Sequence, residues 1–178
     1  IRPLFPEGFR NAVHVVLNVL SYDGVNNPEV LGVLGASAAL SISDIPFHGP
    51  IAGVTVGYID DEIVVNPTIK QIKEVSKLNL AVAGSATSVV MIESAAAELS
   101  EDVMLDAVYK GHDEIKKLVA VQNEMVTEIG KTKVEVVLDA VPEEIMSRVE
   151  ADYGKIIADS AVILGKQERQ DAFDAAEA

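Results

Sequence analysis

The sequence contains no cysteine, and only 4% of its 178 residues are aromatic. Without cysteine, a disulfide framework, a zinc–thiolate centre and a cysteine nucleophile are all excluded. So few aromatic rings also argue against a platform on which successive nucleic-acid bases stack. The absence of cysteine leaves the cellular compartment open, with the cytoplasm favoured.

Long hydrophobic runs are also absent. No run approaches the roughly 18 apolar residues that a membrane-spanning helix needs. The N-terminus does not have the basic and then apolar pattern of a signal peptide. We therefore expect no membrane partner. The chain opens with Ile1-Arg2-Pro3 rather than methionine, from which we expect a fragment or a trimmed chain.

Basic residues are scarce relative to acidic ones. Lysine and arginine together number 14 and aspartate and glutamate 28, which gives a formal net charge of −14. A chain this acidic repels a phosphate backbone unless its few cations are concentrated in one place. Composition therefore argues against a stand-alone nucleic-acid binder.

The length predicts one domain, or one small domain with an appendage.

The first half of the chain has a mixed helix and strand pattern. Residues 12–22 are almost all apolar and rich in valine, which predicts a strand buried on both faces. Asn27 and Pro28 are a typical helix start, and the apolar or small residues 28–43 predict a buried helix. Small residues in the segment Gly32–Ala38 would let this helix lie close to a neighbour.

Two hairpins are predicted next. Residues 51–58 and 62–66 alternate around an acidic turn, and residues 78–84 and 88–93 form a second pair. Residues 70–77 are a polar link or a short helix. Strands followed by helices indicate the α+β class.

The second half of the chain is helical. Ser100 is a suitable N-cap and Gly130 a suitable end for one long helix. A second helix is predicted to begin at Pro142, and residues 166–178 to be helical or frayed. The apolar faces predicted for these two helices are Met104, Val108, Ile115, Leu118, Val119, Met125, Val126 and Ile129 in the first, and Ile145, Val149, Tyr153, Ile156, Ile157 and Ile163 in the second.

The residues alone reveal no active site. The three histidines, His14, His48 and His112, are far apart in sequence, and we interpret each as structural or as a bystander. The acidic run 60–62 is expected to be a solvated hairpin tip. The Gly32–Ala38 segment lacks the Lys-Ser/Thr of a phosphate-binding loop, so close packing explains its glycines better.

Several stretches together resemble the bacterial polynucleotide phosphorylase family. The resemblance covers essentially the whole chain and is most specific in its first two stretches. In chain order they are IRPLFPEGF (1–9), GASAALS (35–41), IPF (45–47), GPI (49–51), GYI (57–59), NPT (66–68), VAG (82–84), MIES (91–94), GHDE (111–114) and KQER (166–169).

This resemblance implies a particular domain organisation. Residues 1–115 would be the C-terminal part of the first of two ribonuclease-PH-like cores, with a mixed sheet and packed helices, and residues 116–178 an all-helical linker domain. The chain would begin in the middle of that core and lack its N-terminal strands. We then expect the uncovered strand 12–22 to be accompanied by those strands on another polypeptide, or to drive self-association.

The resemblance also implies an activity. Such an enzyme degrades RNA from its 3′ end with inorganic phosphate, assisted by magnesium, and releases nucleoside diphosphates. The groups that hold metal and phosphate lie in the second core. This chain has Asn79 where the active core has aspartate, and Ala81 where it has lysine. A serine-rich phosphate loop is replaced by residues 24–28. The resemblance therefore implies a non-catalytic half that binds no metal itself.

The partners implied are single-stranded RNA, inorganic phosphate, two further copies in a homotrimer and other RNA-decay proteins. Arg2 is the best candidate for an RNA or phosphate contact, against a solvated or ion-paired arginine. Two alternatives remain open on the residues. One is a non-catalytic RNA-binding or assembly module, and the other is a metabolite kinase that uses Gly32–Ala38.

Overall fold

A four-stranded sheet organises the first part of the chain in the computed structural model, which describes residues 1–177. The strand order is β2-β1-β3-β4, and every described pair is antiparallel. This confirms the α+β class and both predicted hairpins. The resemblance implied a mixed sheet, but the four described strands form an antiparallel one. The strands are β1 (Ala52–Ile59), β2 (Glu62–Val65), β3 (Leu78–Gly84) and β4 (Val89–Ala96).

Local chemistry explains the connections in this sheet. Asp60 and Asp61 both have positive φ, as a two-residue hairpin turn with the twist of the flanking strands requires. The link between the hairpins contains helix α2 (Ile69–Glu74). It begins with a capping box in which Thr68 and Gln71 bond each other's backbone N–H groups. The expected short helix is thereby confirmed.

The long helix α3 (Glu101–Ile129) covers one face of the sheet. Ser100 caps its start by accepting a hydrogen bond from the Val103 N–H, and Gly130 ends it, as predicted. Alternate residues of β1 and β3 point toward this helix, because side chains alternate along a strand. The buried cluster they form comprises Ala52, Val54, Val56, Leu78, Leu80, Val82, Ala107, Ile115 and Val119.

Helix α1 (Pro28–Ile42) packs on β1 and α3. Asn27 caps it as predicted, with its side-chain oxygen 3.0 Å from the Glu29 nitrogen. The prediction that the whole helix is buried is wrong, because Leu31 is 62% exposed and Gly35 faces open space. Only one side, which includes the fully buried Ser37, is covered.

Side chains from two helices fix the residue that precedes β1. The Ser37 hydroxyl accepts a hydrogen bond from the Ile51 N–H at 2.8 Å, and Gln122 Nε2 donates to the Ile51 carbonyl at 2.9 Å. Gln122 is 2% exposed and lies on the stripe predicted to be apolar. Its amide thus ties α3 to the start of β1.

The prediction of a doubly buried strand over residues 12–22 is wrong. None of these residues is assigned to a strand, and all are exposed, Leu20 at 95%. A β-strand exists only when its N–H and C=O groups pair with a neighbour. None of the four described strands pairs with this segment. Its apolar side chains are therefore only partly covered within residues 1–177, with Val15 40% and Val19 62% exposed.

The second compact unit, Asp139–Ala178, contains helices α4 (Glu143–Ala161) and α5 (Lys166–Glu177). Both helices were predicted, and Ala178 lies outside the described residues. The predicted apolar face of α4 is only partly covered, since Ile145 is 52% and Tyr153 45% exposed. No helix within residues 1–177 is long and apolar enough to cross a membrane.

The first unit is Ile1–Leu138. The predicted family boundary at 115/116 lies inside the uninterrupted helix α3. Compactness alone does not test where one family domain ends and the next begins, so that boundary stays a prediction.

Candidate functional site

A cavity of about 490 Å³ lies at the N-terminal end of α1. One wall is formed by Ser21, Tyr22, Asp23, Asn26, Asn27 and Pro28, and Val30 and Leu31 of α1 extend it. Thr55 of β1 and the Asn66-Pro67 pair complete the lining. The lining includes Asn26, Asn27 and Pro28, which belong to the segment 24–28 that the resemblance sets in place of a phosphate loop.

The loop in this wall is stabilised by a carboxylate. Asp23 Oδ1 accepts hydrogen bonds from the N–H groups of Val25 at 2.8 Å and Asn26 at 2.9 Å. These backbone bonds, that of Asn26 first, lower the pKa of Asp23 below its ordinary value, because they stabilise the ionised form. The cavity wall thus carries a negative charge where a phosphate loop would offer free N–H groups to an anion.

Strand pairing places β3 beside this cavity. Ala81 is opposite Thr55 of β1, and Asn79 is opposite Gly57 two residues along. Both therefore lie on the sheet face opposite the α3 core. Ala81 is thus paired with Thr55, a lining residue of the cavity, but neither Ala81 nor Asn79 is itself among the lining residues.

The chemistry of this region does not suit phosphate or a metal ion. No lysine or arginine is among the lining residues of the cavity. Asn79 contributes a neutral amide, which lacks the negative charge that a carboxylate brings to a divalent cation, and Ala81 a methyl group, which cannot bind phosphate as an ammonium group does. Within residues 1–177, no three histidine, aspartate or glutamate side chains are grouped to hold a metal ion.

The structure also places the other candidates. Gly32–Ala38 lies inside α1 rather than in a turn before it, so its N–H groups are committed to the helix and do not cradle a phosphate. His14 and His48 are exposed. His112 lies 2.9 Å from the Ser85 carbonyl and joins α3 to the β3–β4 turn, which is a structural role.

Arg2 lies away from the cavity. It belongs to a short 3₁₀ turn, Arg2–Leu4, whose neighbours Leu4 and Phe5 pack around Leu40 near the other end of α1. The side chain is exposed, and no hydrogen bond or ion pair joins it to another residue in the described part of the chain. The guanidinium is therefore open to solvent, and its role as an RNA or phosphate contact stays a prediction.

Thr55 and Asn66 are site residues that sequence reasoning missed. Asn66 Oδ1 accepts a hydrogen bond from the Thr55 N–H at 3.0 Å, and the Asn66 N–H donates to the Thr55 carbonyl at 2.6 Å. Asn66 has a positive φ of 52°, a conformation in which asparagine is enriched. The Asn-Pro pair at 66–67 hinted at a turn, but nothing in the sequence joined it to Thr55.

Part of this chain matches a known protein family. Residues 49–114 match the model of the 3′ exoribonuclease family, domain 2. These residues form a ribonuclease-PH-like domain. They include β1 to β4 and about half of α3, and the matched segment is followed by helices.

The flanking residues are also similar to known proteins. The chain is 51% identical over 176 residues to the polyribonucleotide nucleotidyltransferase of Natranaerobius thermophilus. It is 50% identical to the enzyme of that name from Streptococcus gordonii and 45% identical to that from Bacillus subtilis. These matches cover 98–99% of this chain but 24% of each relative. The chain thus spans about a quarter of the length of the curated relatives it matches.

Proposed function

We propose that this chain is the scaffold and RNA-path part of a phosphorolytic 3′-to-5′ exoribonuclease. The whole protein would cleave RNA with inorganic phosphate and release nucleoside diphosphates. The observation that supports this most strongly is the 51% identity to a polyribonucleotide nucleotidyltransferase over 99% of the chain. The match of residues 49–114 to a 3′ exoribonuclease domain supports it independently.

The cavity supports a non-catalytic role for this segment. Phosphorolysis requires groups that hold phosphate and stabilise the charge that develops on the transferred phosphoryl group. The cavity offers the Asp23 carboxylate and amides instead, and the neighbouring strand β3 offers the Asn79 amide and the Ala81 methyl group. We propose that magnesium and the reacting phosphate bind in another core of the whole enzyme. The whole enzyme would be a cytoplasmic homotrimer, and it would work with other RNA-decay proteins.

The first prediction concerns activity. The 178-residue chain, incubated with poly(A), inorganic phosphate and Mg²⁺, should release no ADP above background, because its site has no group of carboxylates to hold a metal ion and no cation for phosphate. Chromatography of the nucleotides measures this directly. A full-length polyribonucleotide nucleotidyltransferase from one of the relatives is the positive control. Release of ADP by the chain alone would show that our reading of Asn79 and Ala81 is wrong.

The second prediction concerns Arg2, which we propose contacts an RNA phosphate. The R2A variant should bind a single-stranded oligoadenylate more weakly than the unchanged chain. One lost phosphate contact should reduce the slope of log K against log salt by about 0.7 for single strands. Fluorescence anisotropy at several salt concentrations measures the slope.

The matched control for Arg2 is Arg148 on α4, which is exposed and 3.7 Å from Asp152. The R148A variant removes the same charge from the chain, so it controls for net charge alone. If R2A and R148A change the slope equally, Arg2 makes no specific contact with RNA.

A further inference from the structure

The C-terminus of α1 has an unusual partner. The last carbonyl groups of a helix accept no hydrogen bond from N–H groups of the same helix, so they need donors from elsewhere. Lys133, which follows α3, brings its ammonium group to this end. Its Nζ lies 2.8 Å from the Leu40 oxygen, 2.9 Å from the Ser41 oxygen and 2.7 Å from the Ser43 oxygen. All three ammonium hydrogens therefore have an acceptor.

The backbone around Lys133 joins the same place. The Lys131 N–H donates to the Ile42 carbonyl at 2.9 Å, and the Val134 N–H donates to the Asp44 carbonyl at 2.8 Å. Residues 131–134, which are neither helix nor strand, are thus held on the end of α1 by five hydrogen bonds.

Charge adds to this attachment. A cation at the C-terminal end of a helix is stabilised by the partial negative charge there. Partial burial lowers the pKa of Lys133, and the nearby Asp44 carboxylate counteracts that effect. The attachment ends soon afterwards, since Val137 is fully exposed.

We propose that Lys133 is a latch that holds residues 131–134 on the C-terminal end of α1. With the latch closed, residues 131–134 are fixed on the end of α1. When Lys133 is disengaged, the two backbone hydrogen bonds made by Lys131 and Val134 are too few to hold the segment. Residues 131–134 then become mobile.

Hydrogen exchange of the 178-residue chain tests the latch. In the K133M variant, which keeps most of the length of the side chain but removes its charge and donors, the Lys131 and Val134 amides should exchange at least tenfold faster. The core amides of Val54 and Val82 should keep their protection. The matched control is K131M, because the Lys131 side chain is exposed and makes none of these bonds. It should leave all four amides unchanged.

Each outcome decides the proposal. Unchanged protection of Lys131 and Val134 in K133M overturns the latch. If K133M also speeds the exchange of Val54 and Val82, the loss of protection is global. The K133Q variant, a milder change that retains an amide donor, is then measured. Selective loss at Lys131 and Val134 in K133Q supports the latch. Unchanged protection or another global loss overturns it as a local device.

Discussion

Replacing Ile115 by alanine should lower the free energy of unfolding of the first unit by about 2–5 kcal/mol, the usual range for removing a large buried aliphatic side chain. Ile115 is 0% exposed and belongs to the core cluster that includes Val54 and Val82. Its loss removes hydrophobic burial and leaves a cavity between α3 and the sheet. Urea unfolding followed by circular dichroism measures the change, provided that the dependence on urea concentration stays the same.

The matched control is on the same helix. Leu105 is 54% exposed, so L105A changes the helix sequence by an equivalent truncation at a position outside the core. We expect it to cost less than about 1 kcal/mol, as surface changes usually do. Equal losses for I115A and L105A would mean that α3 does not cover the sheet as the structure has it.

The elements of the first unit that follow residue 27 were predictable because their signals are local. Asn27 and Ser100 cap helices through their own backbone neighbours. The turn at Asp60 and Asp61 joins two alternating strands without help from distant residues. The sequence contains both the signal and its partner in each case, so periodicity and capping identify the element.

Other features could not be predicted because their partners are distant in sequence. The apolar pattern of residues 12–22 indicates a preference for burial, but it does not say whether a pairing strand is present. Gln122 is polar and sits on an apolar stripe, and its partner Ile51 is 71 positions away. Lys133 binds carbonyl groups about 90 positions earlier, and no sequence rule connects an isolated lysine to a helix end.

The candidate site, too, was predictable only in part from the sequence. The resemblance predicts that Asn79 and Ala81 are replacements, because it compares the strand residue by residue. The cavity beside them depends on strand pairing, which sets Thr55 opposite Ala81 and brings Asn66 to Thr55. The neutral and acidic lining that argues against phosphate binding is therefore a property of the fold, and the sequence alone indicated only part of it.

Two glycines in helices should respond in opposite directions to the same substitution. A Cβ added at Gly111 of α3 would lie 3.0 Å from Val56 Cγ2 and 3.4 Å from Val54 Cγ2. The helix rests on β1 at this point, and there is no room for even one methyl group without movement. A Cβ added at Gly35 of α1 meets nothing within 4 Å. Both glycines lower helix propensity, but only Gly111 allows a close approach between a helix and the sheet.

We therefore expect G111L to destabilise the first unit by about 3 kcal/mol, at the upper end of what overpacking usually costs. The gain in helix propensity on replacing glycine, about 1 kcal/mol, offsets a small part of this cost. In G35L that gain is unopposed, so this variant should be more stable by up to about 1 kcal/mol. Urea unfolding of both variants measures the two signs. A G111L protein as stable as G35L would mean that α3 can lift from β1 at no cost, which the tight contact with Val56 argues against.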